Sequence, residues 1–204
     1  MYYGGDCMKQ PRHILGIDDD EFIRGKVPMT KQEIRILTLT KAKIGLDDVV
    51  FDIGAGTGSL SIEAALLAEY GHVYAIEKNP EGIELIQQNV RKFLVDNIDV
   101  ITGEAPAAMQ NLPMCDAVLI GGSGKRLDTI LNRVDTLLKP QGRIVLNCIT
   151  IQTLSECLTY MKQHKEYTYE AMQVQINRLR VVGPYDMAQA LNPIYIVTCT
   201  KQAV

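Results

Sequence analysis

A glycine-rich turn that follows a short apolar run is the strongest chemical signal in the sequence. Residues 49–58 (VVFDIGAGTG) predict a buried strand and a tight turn that leads into a helix. Gly54, Gly56 and Gly58 have no Cβ, so they tolerate positive φ and let a ligand approach the backbone. Ligands of open α/β sheets bind at such strand ends, although a tight turn without a ligand is the alternative interpretation. The turn is therefore a candidate binding site.

Two further strand ends carry side chains that suit a nucleoside. The second apolar run ends in Glu77, which follows Gly58 at close to the spacing of a carboxylate that binds ribose hydroxyls. The third run ends in residues 102–106 (TGEAP), where the small side chain of Ala105 would let an adenine ring lie against the backbone. A helix-capping acid at Glu77 and a plain helix start at Ala105 are the alternatives.

The identity of residues 52 and 59 decides which nucleoside fits. A dinucleotide fingerprint would place glycine at position 59, where this chain has Ser59, so NAD and FAD are disfavoured. Asp52 directly precedes the turn, where a carboxylate would repel a pyrophosphate but attract a ligand that carries a sulfonium and an ammonium group. The alternative for Asp52 is a carboxylate that caps the amides of the turn.

Short apolar runs alternate with segments of helical periodicity, which is typical of a parallel sheet with crossover helices. The predicted strands are residues 49–53, 72–77, 98–102, 117–120, 143–148, 169–176 and 194–200, and the predicted helices are residues 59–69, 80–93, 126–138 and 151–164. The last two strands are joined by a predicted long loop around Gly183 and Pro184, so we expect an antiparallel ending.

The N-terminal residues read as an extension, so we predict a boundary between residues 1–30 and a single domain at 31–204. Residues 18–21 (DDDE) form an acidic run that we interpret as a solvated turn. Thr30 and Glu33 fit a capping box, which predicts that the first helix starts there.

Composition and charge exclude several classes of protein. The 204 residues carry a formal charge of −3, which disfavours a nucleic-acid partner, and no apolar run is long enough to span a bilayer. Five scattered cysteines (Cys7, Cys115, Cys148, Cys157 and Cys199) predict a reduced, cytoplasmic location. Three isolated histidines (His13, His72 and His164) have no neighbouring cysteine, so we expect no metal site.

The motifs together resemble the class I S-adenosylmethionine methyltransferases. The resemblance is carried by residues 51–58 (FDIGAGTG), 74–80 (YAIEKNP) and 138–143 (LKPQGR). It implies a Rossmann-like α/β fold, with a seven-stranded, mostly parallel sheet, an antiparallel last strand and helices on both faces. It also implies S-adenosylmethionine as the cofactor.

Narrower motifs are similar to one branch, the cobalt-precorrin-6B C15-methyltransferases (decarboxylating). These motifs are residues 19–22 (DDEF), 28–35 (PMTKQEIR), 121–124 (GGSG), 177–180 (NRLR) and 192–193 (NP). The resemblance implies methylation at C15 of a cobalt-precorrin, a polycarboxylate tetrapyrrole, with loss of CO₂ from an acetate side chain, in cobalamin biosynthesis. It also implies a homo-oligomer, expected to be a tetramer.

The same resemblance implies which residues contact the cofactor. They are Thr30, Gly54, Ala55, Gly56, Thr57, Gly58, Glu77 and Ala105. Two of these positions depart from the family: many relatives have Asp in place of Glu77, and Cys is common in place of Ala55. Neither departure threatens cofactor binding, since Glu77 is only one methylene longer and Ala55 would act through its backbone.

Arg178 and Arg180 are the candidates for binding the substrate's carboxylates. They lie two residues apart on the predicted sixth strand, so they should share a face, and arginine offers a planar fork for a carboxylate. A solvent-facing pair is the alternative. Two other functions stay open: a tRNA adenine-N1 or other class I methyltransferase, and a non-catalytic nucleoside-binding subunit.

Overall fold

Seven strands form one twisted sheet in the order β3-β2-β1-β4-β5-β9-β6. The computed structural model describes residues 15–203, so Cys7 and His13 lie outside the described residues. The strands are β1 Val49–Ile53, β2 His72–Glu77, β3 Ile98–Thr102, β4 Cys115–Ile120, β5 Leu138–Cys148, β6 Tyr167–Val174, β7 Asn177–Val182, β8 Tyr185–Ala190 and β9 Ile194–Lys201. In the large sheet β9 runs antiparallel to both β5 and β6, which confirms the predicted antiparallel last strand.

Helices cover both faces of this sheet. They are α1 Gln32–Ala42, α2 Ser59–Leu67, α3 Pro80–Phe93, α4 Leu127–Leu137 and α5 Ile151–Gln163, with a short 3₁₀ helix at Ala107–Met109. Alternate residues of the strands point to opposite faces, so Val50 packs with α1 and α2, whereas Phe51 packs with α4 and α5. The predicted Rossmann-like architecture is confirmed. Within residues 15–203, none of these helices is both long and apolar enough to cross a membrane.

The first helix begins differently from the prediction. Its N-cap is Lys31, which makes no side-chain capping bond, and the amide of Gln32 donates instead to Asp19 Oδ1 at 2.9 Å. The carboxylate of Glu33 binds the side chain of Arg178. The predicted capping box at Thr30 is therefore wrong, and the helix start is fixed by a side chain from the N-terminal extension.

The described part of that extension packs against the domain around one buried arginine. Arg35 on α1 is fully buried, and its guanidinium donates to Glu63 Oε1 at 2.6 Å, to Asp19 Oδ1 at 3.1 Å and to the carbonyl oxygen of Thr30 at 2.7 Å. It also donates to the carbonyl oxygen of Ile17. The solvated turn predicted for the acidic run is therefore wrong at Asp19. The domain boundary at residue 30 stays a prediction.

Two strands project from the domain as a separate hairpin. Strands β7 and β8 pair only with each other, from Asn177 opposite Ala190 to Val182 opposite Tyr185, and every residue of both strands is exposed. The long loop predicted around Gly183 is therefore wrong, because Gly183 adopts φ +60° and reverses the chain between two paired strands. Arg178 and Arg180 accordingly lie on β7 and not on the predicted sixth strand.

Candidate functional site

The glycine turn lies where the sheet order reverses, between the carboxyl ends of β1 and β4. Gly54, Gly56 and Gly58 all have positive φ, as the sequence predicts. The amide of Gly54 donates to the carbonyl oxygen of Ile76 at 2.9 Å. A Cβ on Gly54 would lie 2.8 Å from the carbonyl oxygen of Gly122, so the two strand ends approach each other too closely for any side chain. This crevice is the usual ligand site of an open α/β sheet.

Glu77 is fixed beside the turn by three backbone amides. Its Oε2 accepts from Gly56 at 2.8 Å, and its Oε1 accepts from Lys78 at 2.9 Å and from Asn79 at 2.8 Å. The side chain is buried, and Oε2, which accepts one bond where Oε1 accepts two, can accept a further bond. Glu77 is therefore held in one orientation with acceptor capacity left for a ligand.

Gly82 on α3 supports this arrangement, and our reading of the sequence missed it. A Cβ at residue 82 would lie 2.9 Å from Glu77 Cγ and 3.0 Å from the carbonyl oxygen of Gly56. Any larger residue would thus displace the carboxylate or the turn. The only signal in the sequence is a glycine inside a helix, where it costs about 1 kcal/mol relative to alanine.

Two adjoining cavities open around Gly54 and Glu77, and we call them the cofactor cavity and the base cavity. The cofactor cavity has a volume of about 290 Å³, and one of its walls is formed by the end of the N-terminal extension and the N-cap of α1, which are Val27, Pro28, Met29, Thr30 and Lys31. The base cavity has a volume of about 110 Å³ and lies between the ends of β2, β3 and β4. Gly54, Glu77 and Gly122 line both cavities, so a single ligand can extend from one into the other.

Most of the predicted cofactor residues meet at these cavities. Thr30, Gly54, Ala55, Gly56 and Glu77 line the cofactor cavity, and Ala105 lines the base cavity with Gly54 and Glu77. Thr57 and Gly58 complete the turn without lining either cavity. The cofactor contacts of all these residues stay a prediction.

Asp52 places a second buried carboxylate at the cofactor cavity. Its Oδ2 accepts from Ser61 Oγ at 2.5 Å, whereas its Oδ1 is buried with no hydrogen-bond partner among residues 15–203. Burial raises the pKa of Asp52 to about 6, and the nearby charge of Glu77 adds to this effect, although the Ser61 hydroxyl opposes it. A cationic ligand would stabilise the ionised form.

Arg178 does not reach either cavity, because it is paired with α1. Its Nη2 donates to Glu33 Oε1 at 2.7 Å and to Oε2 at 2.8 Å, and Asp19 Oδ2 lies 4.0 Å away. This pairing holds the pKa of Glu33 below its usual range. Arg180 shares the face of β7 with Arg178, and its side chain has no partner in the described part of the chain. A role in substrate binding stays a prediction for both.

Metal ligation finds no support in the described residues. Across residues 15–203, no group of three or more His, Cys, Asp or Glu side chains is arranged to hold a metal ion. His72 and His164 lie on different elements, at β2 and after α5.

Comparison with known proteins agrees with the fold and with the family resemblance of the sequence. The family described as "Precorrin methyltransferase domain" matches residues 21–201. A probable cobalt-precorrin-6B C(15)-methyltransferase (decarboxylating) from Sulfurisphaera tokodaii is 42% identical over 186 residues, which are 89% of this chain and 95% of the relative. Its match extends over nearly the whole of both proteins.

Two crystal structures share the architecture. Precorrin-6y C5,15-methyltransferase from Geobacter metallireducens is 41% identical, with a TM-score of 0.87 over 92% of this chain and 98% of that chain. Precorrin 8w decarboxylase from Methanobacterium thermoautotrophicum is 33% identical, with a TM-score of 0.85 over 92% of this chain and 100% of that chain. Taken with the glycine turn, the buried Glu77 and the paired cavities, these matches show that the chain belongs to the precorrin methyltransferase family.

Proposed function

We propose that this chain is an S-adenosylmethionine-dependent enzyme of cobalamin biosynthesis, which methylates C15 of a cobalt-precorrin and removes CO₂ from its acetate side chain. The observation that carries the proposal is Glu77, a buried carboxylate fixed between a nucleoside-sized cavity and a second cavity beside the glycine turn. The relatives named for this reaction supply the substrate class. We further propose that the enzyme acts in the cytoplasm and takes no nucleic acid.

The residues present fit S-adenosylmethionine, which supplies the methyl group as a sulfonium. Glu77 would bind the ribose hydroxyls, because its carboxylate lies between the two cavities and keeps acceptor capacity. The base cavity beside Ala105 would hold the adenine. Asp52, with one free carboxylate oxygen, would face the positively charged methionine end in the cofactor cavity.

The chain's contribution to methyl transfer is mainly positioning. The reacting carbons must be held about 3–3.5 Å apart and in line with the breaking C–S bond. The pair of glycines at the ends of β1 and β4 lets both reactants approach the backbone here. C15 belongs to an electron-rich macrocycle, so no strong base is required, and the macrocycle can accept the electrons released by decarboxylation.

The function can be tested in two stages. Calorimetric titration should show binding of S-adenosylmethionine in preference to nicotinamide dinucleotides. Incubation with S-adenosylmethionine and a cobalt-precorrin should give a product whose mass reflects one added methyl group and one lost CO₂. Binding of S-adenosylmethionine without any turnover would support a non-catalytic subunit instead. Methylation of tRNA, when tRNA replaces the cobalt-precorrin in the incubation, would support the nucleic-acid alternative.

Asp52 should make cofactor binding depend on pH. A carboxyl whose pKa is about 6 is mostly protonated at pH 5 and mostly ionised at pH 7, and only the ionised form attracts a cation. The affinity for S-adenosylmethionine should therefore rise about tenfold between pH 5 and pH 7. Asp52→Asn should bind more weakly and lose this dependence. Calorimetry at both pH values checks the prediction, and an equal pH dependence in the variant would contradict it.

Arg178 and Arg180 should matter for the corrinoid and not for the cofactor. Replacing both by Ala should raise KM for the cobalt-precorrin about tenfold or more, because a charge-assisted bond to a carboxylate contributes about 1.5–3 kcal/mol. The affinity for S-adenosylmethionine should stay unchanged. Glu33→Gln is the matched variant, since it frees the Arg178 fork from its present partner and should lower KM if the fork binds substrate. An unchanged KM in the double variant would contradict the assignment.

We propose that the hairpin of β7 and β8 joins copies of the chain into a homotetramer. An isolated two-stranded hairpin is marginally stable in water, and this one exposes apolar side chains on both strands. Leu179 is 75% exposed, Val181 73%, Tyr185 71% and Met187 55%. Leu179 and Val181 lie on one face of the hairpin, and Tyr185 and Met187 lie on the other, so other subunits must cover both faces to bury them. Light scattering should give the mass of a tetramer, and Leu179→Lys with Val181→Lys should reduce it.

A further inference from the structure

A third cavity adjoins the cofactor cavity and shares one polar side chain with it. This cavity, which we call the acceptor cavity, has a volume of about 540 Å³ and lies between the loop after β4 and the start of α5. Gly121, Gly122, Asn147 and Ile149 line both the acceptor cavity and the cofactor cavity. If the methyl donor occupies the cofactor cavity and the acceptor occupies the acceptor cavity, the methyl group crosses between them beside Asn147.

The register of the sheet explains why Asn147 lies at this junction. Asp52 pairs with Leu119 and Leu119 pairs with Val145, so these three side chains share one face of the sheet. Gly54, Gly121 and Asn147 each lie two residues further along the chain than these three residues, so they lie on the same face of the sheet. Two of the three have no side chain, so Asn147 is the side chain that this row presents at the strand ends.

The hydrogen bonds around Asn147 fix the orientation of its amide group. Thr38 Oγ1 on α1 lies 2.7 Å from the carbonyl oxygen of Ile34 and 2.9 Å from the amide atom assigned as Asn147 Oδ1. A hydroxyl has one proton and cannot donate to both oxygens. With the amide turned over, Thr38 donates to Ile34 and accepts from Asn147 Nδ2, and both contacts are satisfied.

The turned amide leaves its oxygen at the unpartnered end. The amide atom opposite the Thr38 contact is buried and has no hydrogen-bond partner among residues 15–203. A buried polar atom without a partner is costly, so its retention at the junction of two cavities points to a ligand.

We propose that Asn147 is a catalytic residue whose side-chain carbonyl oxygen contacts the sulfonium methyl group, and that Thr38 is the positioning residue that orients it. The inference rests on the proposed function, since it assumes S-adenosylmethionine in the cofactor cavity. In the transfer, the C–S electrons pass to sulfur and leave a neutral thioether, while a π-electron pair of the acceptor carbon forms the new C–C bond. The positive charge passes to the macrocycle, where the electron pair released by loss of CO₂ from the acetate carboxylate neutralises it. Asn147 exchanges no proton and acts through its dipole, which stabilises the positive charge on the methyl group.

The test compares two ligands that differ at the sulfur. S-adenosylmethionine carries the methyl group and the charge, whereas S-adenosylhomocysteine lacks both. Asn147→Leu should weaken binding of S-adenosylmethionine about fivefold, as expected for one hydrogen-bond-sized contact, and leave S-adenosylhomocysteine unaffected. Asn147→Asp should strengthen the binding of S-adenosylmethionine and leave the binding of S-adenosylhomocysteine unchanged. In proton NMR, the methyl signal of bound ¹³C-methyl-labelled cofactor should lie downfield in the wild type and shift upfield in Asn147→Leu.

Gln152→Leu is the matched control, because Gln152 lines the acceptor cavity but not the cofactor cavity, and it should leave the ratio of the two affinities unchanged. Thr38→Val should partially reduce the ratio of the affinity for S-adenosylmethionine to that for S-adenosylhomocysteine, and Thr38→Ser should restore this ratio. Equal losses for both ligands in Asn147→Leu would indicate a structural role and overturn the proposal. Stronger binding of S-adenosylmethionine in Asn147→Leu would show that the amide nitrogen faces the junction, and would overturn it too. A wild-type protein that binds neither ligand would instead contradict the proposed function.

Discussion

Replacing Glu77 by Ala should weaken S-adenosylmethionine binding by about 100-fold or more. A bond between a charged carboxylate and a ribose hydroxyl contributes about 1.5–3 kcal/mol, and a loss near the upper end of this range corresponds to about 100-fold in affinity. The substitution also removes the acceptor of three backbone amides, at Gly56, Lys78 and Asn79, so the glycine turn loses its fixed geometry. Calorimetric titration of the purified variant measures the effect directly.

Two controls separate the carboxylate's role in binding from its role in the fold. Glu77→Asp keeps the charge and shortens the side chain by only one methylene, so it should retain affinity within about tenfold. Glu84→Ala removes an exposed acid from α3, whose carboxylate accepts from Gln88 Nε2 at 3.1 Å, and should leave the affinity unchanged. Full affinity in Glu77→Ala, or an equal loss in Glu84→Ala, would contradict the assignment of Glu77 to the ribose.

The sheet and its ligand end could be predicted because both are encoded locally. Strands β1, β2 and β3 and helix α3 have the bounds that the sequence predicts, since each is a single apolar or amphipathic run with clear stop signals. The helix start at Pro80 also follows the predicted cap, because Asn79 Oδ1 accepts from the amide of Glu81 at 3.0 Å. The glycine turn could be predicted because its three glycines follow an apolar strand within ten residues, and all three adopt positive φ.

Features that depend on distant parts of the chain were not predictable in this way. The hairpin buries none of its residues against the domain, so its strands show no burial pattern that distinguishes them from a loop. Arg178 binds Glu33, which is 145 positions away in the sequence. The spacing of Arg178 and Arg180 predicts a shared face but does not indicate this partner. Asn147 is one polar residue at the end of an apolar strand, and its importance depends on two cavities and on Thr38.

The N-terminal extension shows the same dependence on distant contacts, and it leads to a large expected effect on stability. Arg35→Met should lower the free energy of unfolding by about 3–5 kcal/mol, because it removes a fully buried guanidinium that is paired with the buried carboxylate of Glu63. Asp19 loses the same partner. For a chain of this length the loss corresponds to a melting temperature lower by roughly 10 °C. Chemical denaturation followed by circular dichroism gives both quantities.

The neighbouring exposed ion pair on α1 supplies the comparison. Lys41 Nζ lies 2.6 Å from Glu170 Oε1, as close as the Arg35 pair, but both side chains are solvent-accessible. Lys41→Met should therefore cost less than about 1 kcal/mol, because water already screens the attraction. Adding Glu63→Gln to Arg35→Met should recover part of the loss by removing the buried charge. Equal effects of Arg35→Met and Lys41→Met would show that burial does not set the strength of this contact.

Loss of Arg35 should also reach the cofactor through the extension. The guanidinium binds the carbonyl oxygens of Ile17 and Thr30, and residues 27–31 form a wall of the cofactor cavity. Arg35→Met should thus weaken S-adenosylmethionine binding at temperatures where the variant is still folded. Because Arg35 itself does not line the cavity, such a loss would act through the wall and not through a direct contact. An unchanged affinity in the folded variant would mean that the extension holds its position without this buried arginine.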